Sequence, residues 1–146
     1  MRSRLSTVAV DLAERLSHQP ARRLRQVAVA AADLAVERTQ LVDPRADAGL
    51  AAVRDEAPAA IAECSLVLSL TEELDEVAWN TRDQVEAGML PEQAYLAAFA
   101  RARAAASVGF ALEPDALHAA LESVYEAQAA VGLEAVRVAV AAALAA

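Results

Sequence analysis

The chain has 146 residues, of which 40 are alanine, 4 are glycine and 5 are proline, and 57% are hydrophobic. This length suffices for one domain with its own core, and alanine, the strongest helix former, favours an all-α fold. All 13 basic residues are arginine, which excludes a catalytic lysine, and the net charge of −8 argues against a nucleic-acid partner.

The first 41 residues predict two basic helices, at 4–18 and 20–41. Residues 1–38 hold seven arginines against four acids, whereas the rest of the chain holds six arginines against 17 acids. Because opposite charges attract, we expect the basic start to dock on the acidic remainder. A basic arm that binds a partner is the alternative.

The five prolines each precede an apolar-periodic run, which places the later helices at 44–56, 58–87, 91–109 and 114–145. Asp43 predicts an N-cap, and helix ends are predicted at Gly88, Gly109 and Gly132. The short links favour antiparallel neighbours. We therefore expect one all-α domain over 1–146, an antiparallel bundle of five to six helices with an alanine-rich core. Its basic N-terminal helices occupy 1–41 and its acidic main bundle 44–146.

Residues 58–70 carry one charged side chain, Glu63, and this pattern predicts the most buried element of the fold. A central helix fits the pattern, and so does a contact with a second chain. Residues 65–70 and 136–140 also have strand propensity, which leaves a strand-containing fold as an alternative. Ser69 and Glu72 match a capping box, so the sequence leaves open whether 58–87 is one helix or two.

Residues with catalytic chemistry do not form a recognisable constellation. Asp115 and His118 have the spacing of half of one arm of a di-metal site, but Asp115 after Pro114 is more typical of a helix start. Glu72 and Glu76 are interpreted as a solvated acidic face, and Cys64 as a small core residue. The sequence thus predicts no catalytic residue, no metal and no cofactor.

Trp79 is the only tryptophan, and Arg82 follows it by three residues in an amphipathic helix. This spacing favours a tryptophan at the edge of the core with an arginine packed over its ring. Tryptophan and arginine are also enriched in the hot spots of protein interfaces. Trp79, Arg82 and Val85 are therefore the candidate interaction patch.

The last predicted helix carries His118, Glu122, Tyr125 and Glu126 on one side, and these are the candidate lining of a pocket between helices. Residues 71–110 resemble the C-terminal helical bundle of acyl-CoA dehydrogenases. There too a long helix ends in a glycine turn and an alanine-rich helix with arginines follows, like Ala100-Arg101-Ala102-Arg103-Ala104. The resemblance covers under a third of the chain, carries no cofactor motif and implies a ligand-binding bundle enzyme or enzyme subunit.

Two function hypotheses follow. The first is a non-catalytic protein that acts through protein contacts, as a homo-oligomer (a dimer in its simplest form) or as an adaptor or accessory subunit. The second is a small-molecule-binding bundle with a pocket between helices. A third hypothesis, with less support from the charge, is an acidic mimic of nucleic acid. The single cysteine, the lack of a signal peptide or membrane span and the arginine-only basic residues predict a cytoplasmic protein of a GC-rich bacterium.

Overall fold

The computed structural model describes residues 2–55 and 61–146, and its regular structure there is entirely helical. No helix in these two ranges combines the length and the apolar character that a membrane span requires. After a single 3-10 turn at Leu5–Thr7 come seven helices: α1 (Val10–Ser17), α2 (Ala21–Thr39), α3 (Pro44–Arg54), α4 (Ile61–Glu86), α5 (Glu92–Ala111), α6 (Ala116–Val131) and α7 (Leu133–Ala145).

Several predicted helix ends are confirmed. The Asp43 carboxylate accepts the backbone N–H of Arg45 and caps α3, which begins at Pro44. The Asp115 carboxylate accepts the N–H of His118 and caps α6, so the pair forms a helix start. Gly88 has a φ of +77° just after α4, and the two hydrogen bonds that close this helix make a Schellman motif.

The all-α fold is confirmed, but residues 2–55 and 61–146 contain seven helices rather than the predicted five to six. The segment 114–145 is two helices because Gly132 adopts a φ of +97°, which ends α6 and lets α7 turn onto α2. The segment 4–18 also divides, into the 3-10 turn and α1. The helix end predicted at Gly109 is wrong, since α5 continues to Ala111.

The segment 58–87 is a single helix over its described part, because α4 passes through Ser69 without a break. The strand alternative is wrong for both stretches that suggested it. Residues 65–70 lie in α4 and residues 136–140 in α7. Local strand propensity at these positions is overridden by helical packing against neighbouring helices.

The described part of 58–70 is not the most buried element, and the helix at the centre of the bundle is α5. Residues 58–60 lie outside the described residues, and from 62 to 70 only Val67 and Leu70 are buried. Helix α5 packs against α2, α3, α4 and α6, and its buried residues point in nearly every direction: Ala98, Ala102, Ala104, Ala105, Ala106, Ser107, Val108 and Ala111. Small side chains let four helices approach it closely.

Helices α4 and α5 form an antiparallel hairpin that extends past the rest of the bundle. Cys64 and Phe110 lie together near one end of this pair, and Arg82 and Tyr95 near the other. Between residues 79 and 97, which we call the hairpin tip, no residue is buried. The tip therefore consists of two helices that contact each other and little else.

Candidate functional site

A cavity of about 750 Å³ lies over α5 in the gap between α4 and α6. Both of these helices pack on α5, but they make little contact with each other, so α5 forms the floor of an open trough. On α5, the sector of Phe99, Arg103 and Phe110 faces this trough and holds no buried residue. The remaining sectors of α5 are covered by neighbouring helices.

Six charged side chains line the cavity, four carboxylates and two guanidinium groups: Asp75, Glu113, Glu122, Glu126, Arg4 and Arg103. Apolar walls lie between them, formed mainly by Leu68, Phe110, Leu112 and Pro114. The excess of carboxylates gives the cavity a negative potential.

Five of these groups form one continuous chain of ion pairs across three helices and the N-terminus. Arg4 donates to Glu122 at 2.8 Å through Nε and to Glu126 at 2.9 Å through Nη2. Arg103 donates to the other oxygen of Glu126 at 2.8 Å and to Asp75 at 2.7 Å. Glu126 is thus the central residue of this chain of ion pairs, and each of its carboxylate oxygens accepts from one arginine.

Burial makes the stability of the protein sensitive to the loss of any member of this chain of ion pairs. The side chain of Glu126 is only 2% exposed, and an unpaired carboxylate at that depth would be strongly destabilising. Burial lowers the pKa of the Arg4 and Arg103 guanidinium groups, but the facing carboxylates outweigh it and hold both pKa values above the ordinary range. Both arginines therefore stay charged at every physiological pH.

The ion pairs fix the position of the central carboxylate. Both oxygens of Glu126 accept charge-assisted hydrogen bonds from arginines. Within residues 2–55 and 61–146 no group of three or more potential metal ligands comes together. Cys64 is half-buried: it packs against the edge of the core, as predicted, and it also lines the cavity wall.

The candidate pocket residues predicted from the sequence lie around this cavity. His118, Glu122 and Glu126 line it, and His118 meets the ring of Phe110 edge-on with the ring centroids 6.0 Å apart. Tyr125 lies behind them, and the Arg4 guanidinium stacks over its ring at 4.4 Å. The structure therefore brings all four side chains to one site.

The candidate patch residues lie farther along the same hairpin. Trp79 is 64% exposed, so the core placement is wrong, although the Arg82 guanidinium does lie over its ring at 5.8 Å. Tyr95 joins them from α5, 5.9 Å from the same guanidinium. Val85 is half-buried and lies seven residues from buried Ala78, on the face turned to α5, so it is not part of the exposed patch.

A second cavity of about 120 Å³ lies farther along the same two helices, and Asp75 lines both cavities. Trp79, Arg82, Tyr95 and Phe99 surround it, and Arg103 stacks over Phe99 at 5.8 Å. The two cavities lie in line along α4 and α5 from Phe110 to Tyr95, with the ion pair of Asp75 and Arg103 between them, and together we call them the trough.

The cationic residues of the site were missed by the sequence analysis. Arg4 and Arg103 are 122 and 23 residues from the Glu126 carboxylate that they share, so no helical spacing connects either of them to it. Only general features of the sequence indicated these two contacts. They were the basic N-terminus beside an acidic remainder, and two arginines in an alanine-rich helix.

Comparisons with protein-family models, with curated proteins and with solved structures returned no match for this chain. The resemblance of residues 71–110 to acyl-CoA dehydrogenase bundles therefore has no support beyond the residues that suggested it.

Proposed function

We propose that the chain is a non-catalytic protein that acts through protein–protein contacts, with the α4–α5 hairpin as its contact surface. One observation supports this most. Of the twelve large hydrophobic side chains exposed in the described ranges, eight belong to these two helices and their connecting turn: Leu66, Leu68, Val77, Trp79, Met89, Leu90, Leu96 and Phe99.

These exposed side chains lie on two sides of the hairpin: Leu68, Trp79 and Phe99 line its cavities, whereas Leu66 and Val77 lie on the opposite side of α4. An exposed apolar surface of the first kind marks a binding site, whereas isolated exposed residues are ordinary. The hairpin tip adds a second argument, because none of its residues is buried and the stability of helices in proteins comes mostly from the packing of an apolar face. Trp79 with Arg82 beside it has the composition of a hot spot. A partner that covers the tip would supply the missing burial.

An in-cell crosslinking experiment tests this proposal. A photo-crosslinking amino acid replaces Trp79 in one variant and Val138 in a control, because Val138 is equally exposed (68%) but lies on α7, away from the hairpin. We expect a discrete adduct from position 79 in the native host and none from position 138. The mass of the adduct separates a homodimer from a different partner. Equal labelling at both positions, or none at position 79, would contradict the proposal.

The cavity supports a second candidate function, a small-molecule binder. A volume of about 750 Å³ with apolar walls and a few convergent polar groups is typical of ligand sites. Four carboxylates against two guanidinium groups would repel the phosphates of flavin or acyl-CoA, so the ligand should be neutral or cationic.

A thermal-shift screen of amines, neutral metabolites, flavin and acyl-CoA tests this second candidate. A ligand at 100 times its Kd stabilises the native state by about 2.7 kcal/mol, which raises the unfolding temperature by several degrees. A flat response to every compound would remove the small-molecule function and leave the contact function untouched.

A further inference from the structure

We propose that the trough between α4 and α6 binds a basic amphipathic helix of a partner protein, lying antiparallel or parallel to α5. This inference rests on the proposed contact function and goes beyond it, because it names the partner's secondary structure and charge.

The trough is a gap of the size that one further helix would fill. Helices α4 and α6 flank α5 without packing on each other, and α5 is covered on every side except the sector of Phe99, Arg103 and Phe110. From Tyr95 to Phe110 the floor is 16 residues of helix, which span about 22 Å at 1.5 Å per residue. A partner helix of about four turns would fill this length.

The walls of the trough suit an apolar stripe. Leu68 is 60% exposed and Trp79 64% exposed on the α4 side, and Phe99 lies opposite them on α5. Leu68 and Trp79 are 11 residues apart, three helical turns, so they form one line along the trough. Apolar side chains at positions i, i+3, i+4 and i+7 of a partner helix would contact this line of exposed residues.

The acidic residues of the hairpin indicate that the partner helix is basic. Residues 71–99 carry seven acids against one arginine. Four of them, Glu72, Glu76, Asp83 and Glu92, make no ion pair within the described part of the chain. None of the four lines either cavity, so they would attract the flanks of a bound helix rather than its buried face. A basic helix would be attracted to this surface, whereas the hairpin of a second copy would bring seven more acids and be repelled.

The N-terminus of the chain shows the same recognition within the molecule. At the closed end of the trough, the Arg4 guanidinium lies against the Tyr125 ring at 4.4 Å and pairs with Glu122 and Glu126. An arginine that stacks on an aromatic ring and pairs with carboxylates is thus already accommodated. A partner's arginine or lysine beside Asp75 and Glu72 would make contacts of the same kind.

Trp79 provides the test, since it is the only tryptophan and lies in the trough. The full chain is titrated with two designed peptides of about 16 residues that lack tryptophan and tyrosine. Both carry leucine at i, i+3, i+4 and i+7; one has lysine on the flanks and the other glutamate. We expect the lysine peptide to shift Trp79 emission to shorter wavelengths and to saturate, and the glutamate peptide to leave it unchanged.

Two matched variants decide where the lysine peptide binds. Leu68→Arg places a cation in the trough, and Leu66→Arg places the same cation on the opposite flank of the same helix, where Leu66 lines neither cavity. Both leucines are exposed, so both variants should fold, which circular dichroism checks. Leu68→Arg should weaken binding at least about tenfold, and Leu66→Arg should leave it within about twofold.

The outcomes separate this inference from the proposed function. Equal weakening by the two variants, or equal binding of the glutamate peptide, would overturn the basic-helix site. If neither peptide binds but position 79 still crosslinks to a partner, the contact function stands and the basic helix is wrong. A crosslink to a second copy would replace the partner helix with self-association.

Discussion

Glu126 is a charged residue in a core of alanine and valine, and two arginines that are distant in sequence keep it there. Helical periodicity was enough to place Glu126, Glu122 and His118 on one face, because residues three and four apart share a face. It could not supply Arg4 or Arg103, whose contacts depend on how helices pack. The carboxylate half of the site was thus predictable from the sequence and the cationic half was not.

Gly49 is the residue at which the close packing of small side chains leaves no spare room. A Cβ atom at this position would lie 2.8 Å from Cγ1 of Val108 and 2.9 Å from Cγ2 of Val67, and both valines are fully buried. Helix α3 therefore approaches α4 and α5 as closely as it does because position 49 has no side chain.

Gly49→Ala should lower the free energy of unfolding by about 1 kcal/mol, measured by urea denaturation. Overpacking a core costs about 1–3 kcal/mol, whereas the better helix propensity of alanine returns about 1 kcal/mol. In a background of Val67→Ala with Val108→Ala both close contacts are relieved, so the same substitution should then be neutral or stabilising. A gain of about 1 kcal/mol in the natural background would show that the valines move aside without cost.

Element boundaries were the most predictable feature, because caps are local. Asp43 with Pro44, Asp115 after Pro114 and Gly88 each act within one turn, and the structure places helix ends at all three. The placement of α4 was not predictable. Its nearly uncharged stretch indicated burial, but composition does not say which neighbour covers a face, and alanine-rich α5 took the central position instead.

One helix end carries a residue that is not suited to it. Gln40 closes α2 with a φ of +57°, the left-handed conformation that costs a non-glycine residue about 1 kcal/mol. The next hydrogen bond, from the N–H of Leu41 to the carbonyl of Val36, completes a Schellman motif. Glycine is the usual residue at this position because it has no Cβ to clash.

Gln40→Gly should therefore raise the free energy of unfolding by about 0.5–1 kcal/mol, since relief of the left-handed strain exceeds the extra entropy of glycine in the unfolded chain. Chemical denaturation measures the change, with Gln40→Ala as the control that shortens the side chain and keeps the strain. The control should show no gain. Equal stability of both variants would mean that Gln40 is not strained in α2.

For the whole molecule, the separation of charge along the sequence has a structural counterpart. Arg4 pairs with Glu122 and Glu126, Arg23 donates to backbone carbonyls at the end of α7, and Arg25 donates to those between α5 and α6. Arg4 thus docks on acidic side chains as predicted, whereas Arg23 and Arg25 bind backbone carbonyls rather than acids. Arg15, Arg22 and Arg38 stay exposed, so docking uses only part of the basic charge.

Arg4 is the contact through which this docking should matter most for stability. Arg4→Met removes the one arginine that Glu122 and Glu126 share, while Arg103 still donates to one oxygen of Glu126. Because Arg4 is half exposed, we expect a loss of about 2 kcal/mol, below that of a fully buried pair. Arg2→Met changes the net charge equally, but exposed Arg2 forms no ion pair within the described residues, so it should cost under about 0.5 kcal/mol. Urea denaturation at low and high salt compares the two variants. If they lose equal stability, and salt removes the loss in both, long-range attraction rather than the Arg4 contacts holds the N-terminus.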